Sequence, residues 1–226
     1  GDVLGGSAAA NLLSGAAGHD TLFGDDGNDT LHGGDGADRL DGGKNEDALY
    51  GDAGDDWLMG GQQADRLHGG AGNDRLIGDT DWISSLAARD VLDGGEGDDW
   101  LVGDGIAFTA TGRGADDRLT GGDGNDVLIG DGETFATGAI GGADSLDGGA
   151  GDDILYGDAI TMAAGAPMSG MNAPIRMSRP CLCTRSQTGE GMSLSRSSAW
   201  AYSSVATRRR RANSATTLMV KATKKG

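Results

Sequence analysis

The chain has 226 residues, a formal net charge of −17, 44 glycines and only 3 prolines, and its aromatic content is 4%. Its length allows one or two domains, few large apolar side chains are present to build a core, and no apolar run approaches the roughly 20 residues of a membrane span. The charge is unevenly placed: residues 1–160 hold 34 of the 35 acids and seven of the 18 bases, a balance of −27, whereas 161–226 carry ten net positive charges.

Glycine follows the acids, with 39 of the 44 before residue 160, so two chemically different segments meet near Ala159–Pro167. The acids are 31 Asp against 4 Glu, and every Asp lies before residue 160. A surface that only had to be soluble would use Glu freely. The bias asks for a short carboxylate held close to a turn, which suits a hard cation taking oxygen ligands from Asp and backbone carbonyls. The first segment has no Cys, since Cys181 and Cys183 both lie in the tail, so neither disulfides nor thiolate metal sites hold it together. The chain starts at Gly1 with no signal-like segment and is expected to be a fragment of something longer.

From Gly6 to Tyr156 the chain divides into fourteen rows of a nine-residue unit, seen plainly in "GDDGNDTLHGGDGADRLD" (24–41). The eighth place is Leu in all fourteen, and the sixth is Asp in thirteen and Asn11 in the first. Recurring glycines at places one and four mark a turn that other residues would strain. The Asp after the turn can aim its carboxylate at carbonyls of the same turn. The following x-Leu-x is too short for a helix but long enough for a strand whose middle residue points inward.

These rows resemble the glycine-rich nonapeptide repeats of RTX (haemolysin-type) calcium-binding proteins, with the pattern G-G-x-G-x-D-x-U-x. The resemblance covers residues 6–160. It implies an all-β fold, a right-handed parallel β-roll (a β-helix or solenoid) in which two nonapeptides complete one coil. It also implies several Ca2+ ions between turns stacked 18 residues apart, with Asp20, Asp38, Asp56, Asp74, Asp99, Asp126 and Asp153 on one edge and Asp29, Asp47 and Asp65 on the other as metal ligands. So acidic a segment with so thin a leucine core has the composition of a disordered chain when metal is absent. Cations that bind only the folded form would draw it into the roll by mass action.

Taken in chain order, alternate rows differ. The even turns, GAAGHD (15–20), GGDGAD (33–38), GDAGDD (51–56), GGAGND (69–74), GGEGDD (94–99), GGDGND (121–126) and GGAGDD (148–153), all keep Gly at places one and four and Asp at six. Of the first four odd turns only GDDGND (24–29) is intact; GSAAAN (6–11) lacks the Asp, and GGKNED (42–47) and GGQQAD (60–65) have Asn45 and Gln63 at the fourth place. The last three odd rows are stretched by inserts near 80–88, 105–113 and 132–140, each departing after a Gly-Asp pair: Gly78-Asp79, Gly103-Asp104 and Gly130-Asp131. A fourth departure begins at Gly157-Asp158. The even edge is therefore expected to be the main calcium edge and the odd edge a degenerate one decorated with stacked spacer loops.

Enzyme motifs do not appear. None of His19, His32 and His68 opens an H-E-x-x-H helix, and there is no G-x-S-x-G elbow. The histidines read as surface residues, and Trp57 and Trp100 at place seven as packing or edge residues. Four Glu, none at the twelfth place of a candidate loop, argue against EF-hands. The run Arg208–Arg211 reads as part of a solvated, disordered basic tail over 161–226 rather than a nucleic-acid contact. That tail also reads as frame-shifted repeat: in the alternative frame "QTGEGMSL" (187–194) can encode Asp-Gly-Gly-Gly-Asp-Val-Leu, and Trp200-Ala201 and Met219-Val220 must each encode Gly.

The expected function is calcium ion binding by a non-catalytic repeat region of a larger secreted bacterial protein. The resemblance implies passage through a type I secretion machinery and folding outside the cell. Alternatives are the C-terminal repeats of a secreted protease or lipase, or a segment of an adhesin or surface-layer protein. Neither a protein nor a glycan partner can be named from these residues.

Overall fold

The structure is a computed structural model that describes residues 1–80, 82–83, 87–162 and 182–183. Its first half runs β1 (Val3–Gly5), β2 (Leu12–Ala17), β3 (Thr21–Phe23), β4 (Thr30–Asp35), β5 (Arg39–Lys44), β6 (Ala48–Ala53), β7 (Trp57–Gln62), β8 (Arg66–Ala71) and β9 (Arg75–Ile77). The rest is β10 (Trp82–Ile83), β11 (Val91–Glu96), β12 (Trp100–Val102), β13 (Ala107–Phe108), β14 (Arg118–Asp123), β15 (Val127–Ile129), β16 (Gly132–Phe135), β17 (Ser145–Ala150), β18 (Ile154–Tyr156), β19 (Ala159–Met162) and β20 (Leu182–Cys183). No helix occurs among the described residues.

Two parallel sheets face each other, and the chain crosses from one to the other at every turn. One sheet stacks β1-β3-β5-β7-β9-β12-β15-β18-β20 and carries the even rows; the other stacks β2-β4-β6-β8-β11-β14-β17 and carries the odd rows. Register follows the repeat, so each leucine pairs with the leucine one coil on, as in Leu22↔Leu40, Leu40↔Leu58 and Leu31↔Leu49. A side chain at the middle of each short strand points between the sheets. Thirteen of the fourteen row leucines form a single buried column, with Leu13 of the first row and Leu4 half-buried against it. This is the expected parallel β-roll.

The glycines divide the work differently from the sequence expectation. Positive φ falls at places two and four, as at Gly34 (φ 107°) and Gly36 (φ 125°), and the odd-edge substitutes Asn45 (φ 77°) and Gln63 (φ 75°) are held there too. Glycine at place one needs no positive φ; it is there for space. A methyl on Gly33 would lie 2.5 Å from Oδ2 of Asp38 and 2.8 Å from the carbonyl oxygen of Gly51, closer than real Cβ atoms come.

All three inserts leave from the odd edge, and together with the fourth departure after Gly157-Asp158 they build a third sheet, β10-β13-β16-β19, alongside the roll. Ile83, Ala87, Phe108, Phe135, Ala139 and Ala159 form its own small buried cluster, in which the Phe108 and Phe135 rings sit 4.4 Å apart. The inserts are thus more than spacers: they have a packed interior. Of the expected disordered or frame-shifted tail, only 161–162, the end of β19, and Leu182–Cys183, paired in parallel with β18, are described. The remainder lies outside the described residues.

Candidate metal centre

Each turn delivers its place-six Asp into the angle between the two sheets, where the chain is too tightly folded for solvent to follow. All ten expected ligands are buried, at 4% exposure or less: Asp20, Asp38, Asp56, Asp74, Asp99, Asp126 and Asp153 along the even edge, and Asp29, Asp47 and Asp65 along the odd. Oδ1 of each is spoken for. It accepts the backbone N–H of the place-six residue one coil earlier, as in Asp20 N–H to Asp38 (2.7 Å), Asp56 N–H to Asp74 (2.8 Å) and Asp126 N–H to Asp153 (3.1 Å). The odd edge shows the same ladder, with Asp29 N–H to Asp47 at 2.7 Å and Asp47 N–H to Asp65 at 2.8 Å, so Asn45 and Gln63 have not broken it.

Oδ2 differs in nine of the ten. In Asp20, Asp29, Asp38, Asp47, Asp56, Asp65, Asp74, Asp99 and Asp126 it is buried without a hydrogen bond among the described residues, an arrangement that costs about 1–3 kcal/mol when left uncompensated, and more for a charged group. These oxygens converge with backbone carbonyls. A point 2.6 Å from Asp47 Oδ2 is also 2.6 Å from the Gly60 carbonyl oxygen, beside Gly42; beside Gly15 the corresponding distances are 2.5 Å to Asp20 Oδ2 and 2.7 Å to Gly33 O. Among the described residues no three His, Cys, Asp or Glu side chains converge as a ready metal cluster. Backbone carbonyls must therefore supply the other donors, and an all-oxygen set of one carboxylate with carbonyls fits calcium, which takes six to eight oxygens in flexible geometry.

Without metal, burial pushes these carboxyls up: to about 7 for Asp56, Asp99 and Asp126, about 6 for Asp47 and Asp74, and about 8 for Asp65. The N–H donated by the preceding coil opposes the shift, and the like charges above and below add to it. A divalent ion would relieve both the desolvation and the repulsion.

The odd column continues past the residues expected from the sequence. Asp90, Asp117 and Asp144 take the same place, through Asp65 N–H to Asp90 (2.7 Å), Asp90 N–H to Asp117 (2.8 Å) and Asp117 N–H to Asp144 (3.0 Å). Their separations of 25 and 27 residues hide them from an 18-residue search, yet each stands two places before a row leucine, which is the signal that finds them. Asn11, the sole non-Asp at place six, turns its amide oxygen back to the Ser7 N–H (2.6 Å) and closes the first turn without metal. His32 and His68 lie half-exposed beside Asp52 and Asp93. Trp57 and Trp100 stack under Arg39 and Arg75, with 4.1 Å and 5.8 Å between guanidinium carbon and ring centre. No helix among the described residues is long and apolar enough to cross a membrane.

No curated protein matches the chain. Residues 14–49, 50–81, 78–105, 109–133 and 141–159 match the family described as RTX calcium-binding nonapeptide repeat (4 copies). That family is a calcium-binding structural motif and not a catalytic domain. With its glycine turns, carboxylate columns and paired parallel sheets, the chain belongs to the RTX calcium-binding repeat family.

Proposed function

We propose that the roll is a calcium-conditional folding module of a larger secreted bacterial protein, with the place-six Asp of both edges as its metal ligands. The observation that supports this is the row of buried Oδ2 atoms, from Asp20 to Asp144, with no hydrogen-bond partner among the described residues, each sharing a space with a backbone carbonyl. At neutral pH the metal-free chain cannot both bury and ionise so many carboxylates, so it stays open. Calcium at the millimolar level found outside cells suits weak sites of this kind, and the type I export implied by the family would carry the chain out unfolded. The test is far-ultraviolet circular dichroism of the full chain at pH 8. A coil spectrum in chelator should change to β on adding millimolar calcium, and magnesium should substitute poorly because it demands a tighter octahedron and keeps its waters. A β spectrum that persists in excess chelator at that pH would refute the proposal.

A further inference from the structure

The Asp of each Gly-Asp pair at which an insert departs belongs to no nonapeptide ligand position, yet all are buried: Asp79 (5% exposed), Asp104 (0%), Asp131 (0%) and Asp158 (8%). Their backbones stack, Asp79 N–H donating to Asp104 O (2.9 Å), Asp104 N–H to Asp131 O (3.0 Å) and Asp131 N–H to Asp158 O (3.2 Å). Beside them stand the residues at which the inserts return, Asp90, Asp117 and Asp144, buried to 2% exposure or less. Here the roll carries two adjoining columns of carboxyls where its ordinary turns carry one.

The two columns touch. The Asp104 carboxyl comes within hydrogen-bonding reach of both Asp117 and Asp131, a contact that two bare carboxylates cannot hold without a proton or a cation between them. At Gly114 a methyl would collide with Asp131 Oδ1 and lie 2.6 Å from Asp104 Oδ2, so these two oxygens face one small space. Some oxygens are held by the insert backbone: Ala88 N–H donates to Asp79 Oδ2 (2.9 Å), Ala115 N–H to Asp104 Oδ1 (3.1 Å) and Gly142 N–H to Asp131 Oδ1. Oδ2 of Asp90, Asp104, Asp117, Asp131 and Asp144 is buried with no hydrogen bond. Among the described residues no base neutralises them: Arg75 is taken by Glu133, Arg89 by Asp116, and Arg113 and Arg118 are exposed.

We propose that this doubled column is a second class of calcium site, formed between departing and returning carboxylates and sealed by the insert sheet, which holds the ion more tightly than the single-carboxylate turns. A site's affinity rises with the number of charged ligands and with its rigidity, and this one has two carboxylates per ion and the packed cluster of Phe108, Phe135 and Ala139 at its side. Burial also drives Asp104, Asp117 and Asp131 far above the usual carboxylate range when no metal is present, with their mutual repulsion adding to it.

The proposal rests on the calcium reading of the roll, and one experiment separates the two. The calcium-loaded full chain is passed through a buffer with a weak chelator, and the calcium retained per chain is counted. The wild type should keep ions that exchange slowly, whereas Asp104→Asn and Asp131→Asn should lose them, with affinity at those ions down by about tenfold or more. Gly114→Ala removes no carboxylate but fills the space and pushes the Asp104 and Asp131 oxygens apart, and should lose them too. Circular dichroism should still report calcium-induced folding in all three. An unchanged count in Asp131→Asn and Gly114→Ala would overturn the second class of site, even if Asp104→Asn does not fold. No calcium uptake by the wild type would instead overturn the calcium reading of the whole roll.

Discussion

At place one of each turn, glycine leaves room for two oxygens rather than for an unusual backbone angle. Gly33→Ala should therefore act directly on a site, driving a methyl between Asp38 Oδ2 and Gly51 O. Overpacking of this kind costs ~1–3 kcal/mol, read as a higher calcium midpoint for folding. Gln63→Gly should do the opposite. Gln63 is held at φ 75°, and releasing an L-residue from that region returns ~1 kcal/mol, so its midpoint should fall; a rise would show that the side chain contributes more than its strain costs. The carboxyls give a pH dependence whose sign follows from their direction. Asp56, Asp99 and Asp126 are raised to about 7 in the metal-free fold, against about 3.9 in an unfolded chain. The fold then binds more protons than the coil, so this contribution is fully present below about pH 3.9 and is lost as pH rises through about 7. In calcium-free buffer the chain should gain β signal on acidification from pH 8 to pH 4. A coil at pH 4 would mean that protons cannot stand in for the metal.

Strands of three to six residues have little stability alone; the leucine column and the inter-coil hydrogen bonds hold them. Leu58→Ala, at 0% exposure, should cost ~2–5 kcal/mol and weaken the roll as a whole. Phe108→Ala should instead loosen the insert sheet, because its ring packs on Phe135 in a separate cluster. Amide exchange should then quicken in β13 and β16 and not in β5 or β7; quickening throughout would mean that roll and inserts open together. The roll itself was legible because its period repeats a leucine, a carboxylate and a turn with nothing between them. The insert sheet was not: Trp82–Ile83 and Ala107–Phe108 are too short to show an alternation, and their pairing is imposed by the coils that carry them. The doubled column was half legible. The recurring Gly-Asp departures stood out as boundaries, but that Asp104 would meet Asp117 thirteen residues on depends on how the loop closes.

Across the described residues each coil pairs with its neighbours, the Arg75–Glu133 ion pair being a longer reach across one coil, so stability adds up mainly along one dimension. The two sheets are not independent of the carboxylate columns, since each place-six Asp from Asp20 to Asp144 gives Oδ1 to the coil before it and turns Oδ2 toward a carbonyl of the coil after. Loss of Asp126, for instance, removes both the acceptor of the Asp99 N–H (2.9 Å) and a buried oxygen that has no hydrogen bond.

On the proposed calcium reading, that two-way carboxylate also makes the roll a tension-carrying rod whose strength is set from outside. Pulled along its axis, the molecule is a series of links, each fastened by one coil's carboxylates, and the weakest link fails first. Single-molecule stretching in calcium should show a staircase: ordinary coils, 18 residues long, release ~60 Å of chain per step, and the longer coils bearing the inserts release more. Withdrawing calcium should lower the force of every step before it changes any step length, so that the ion concentration sets the tension the rod can carry.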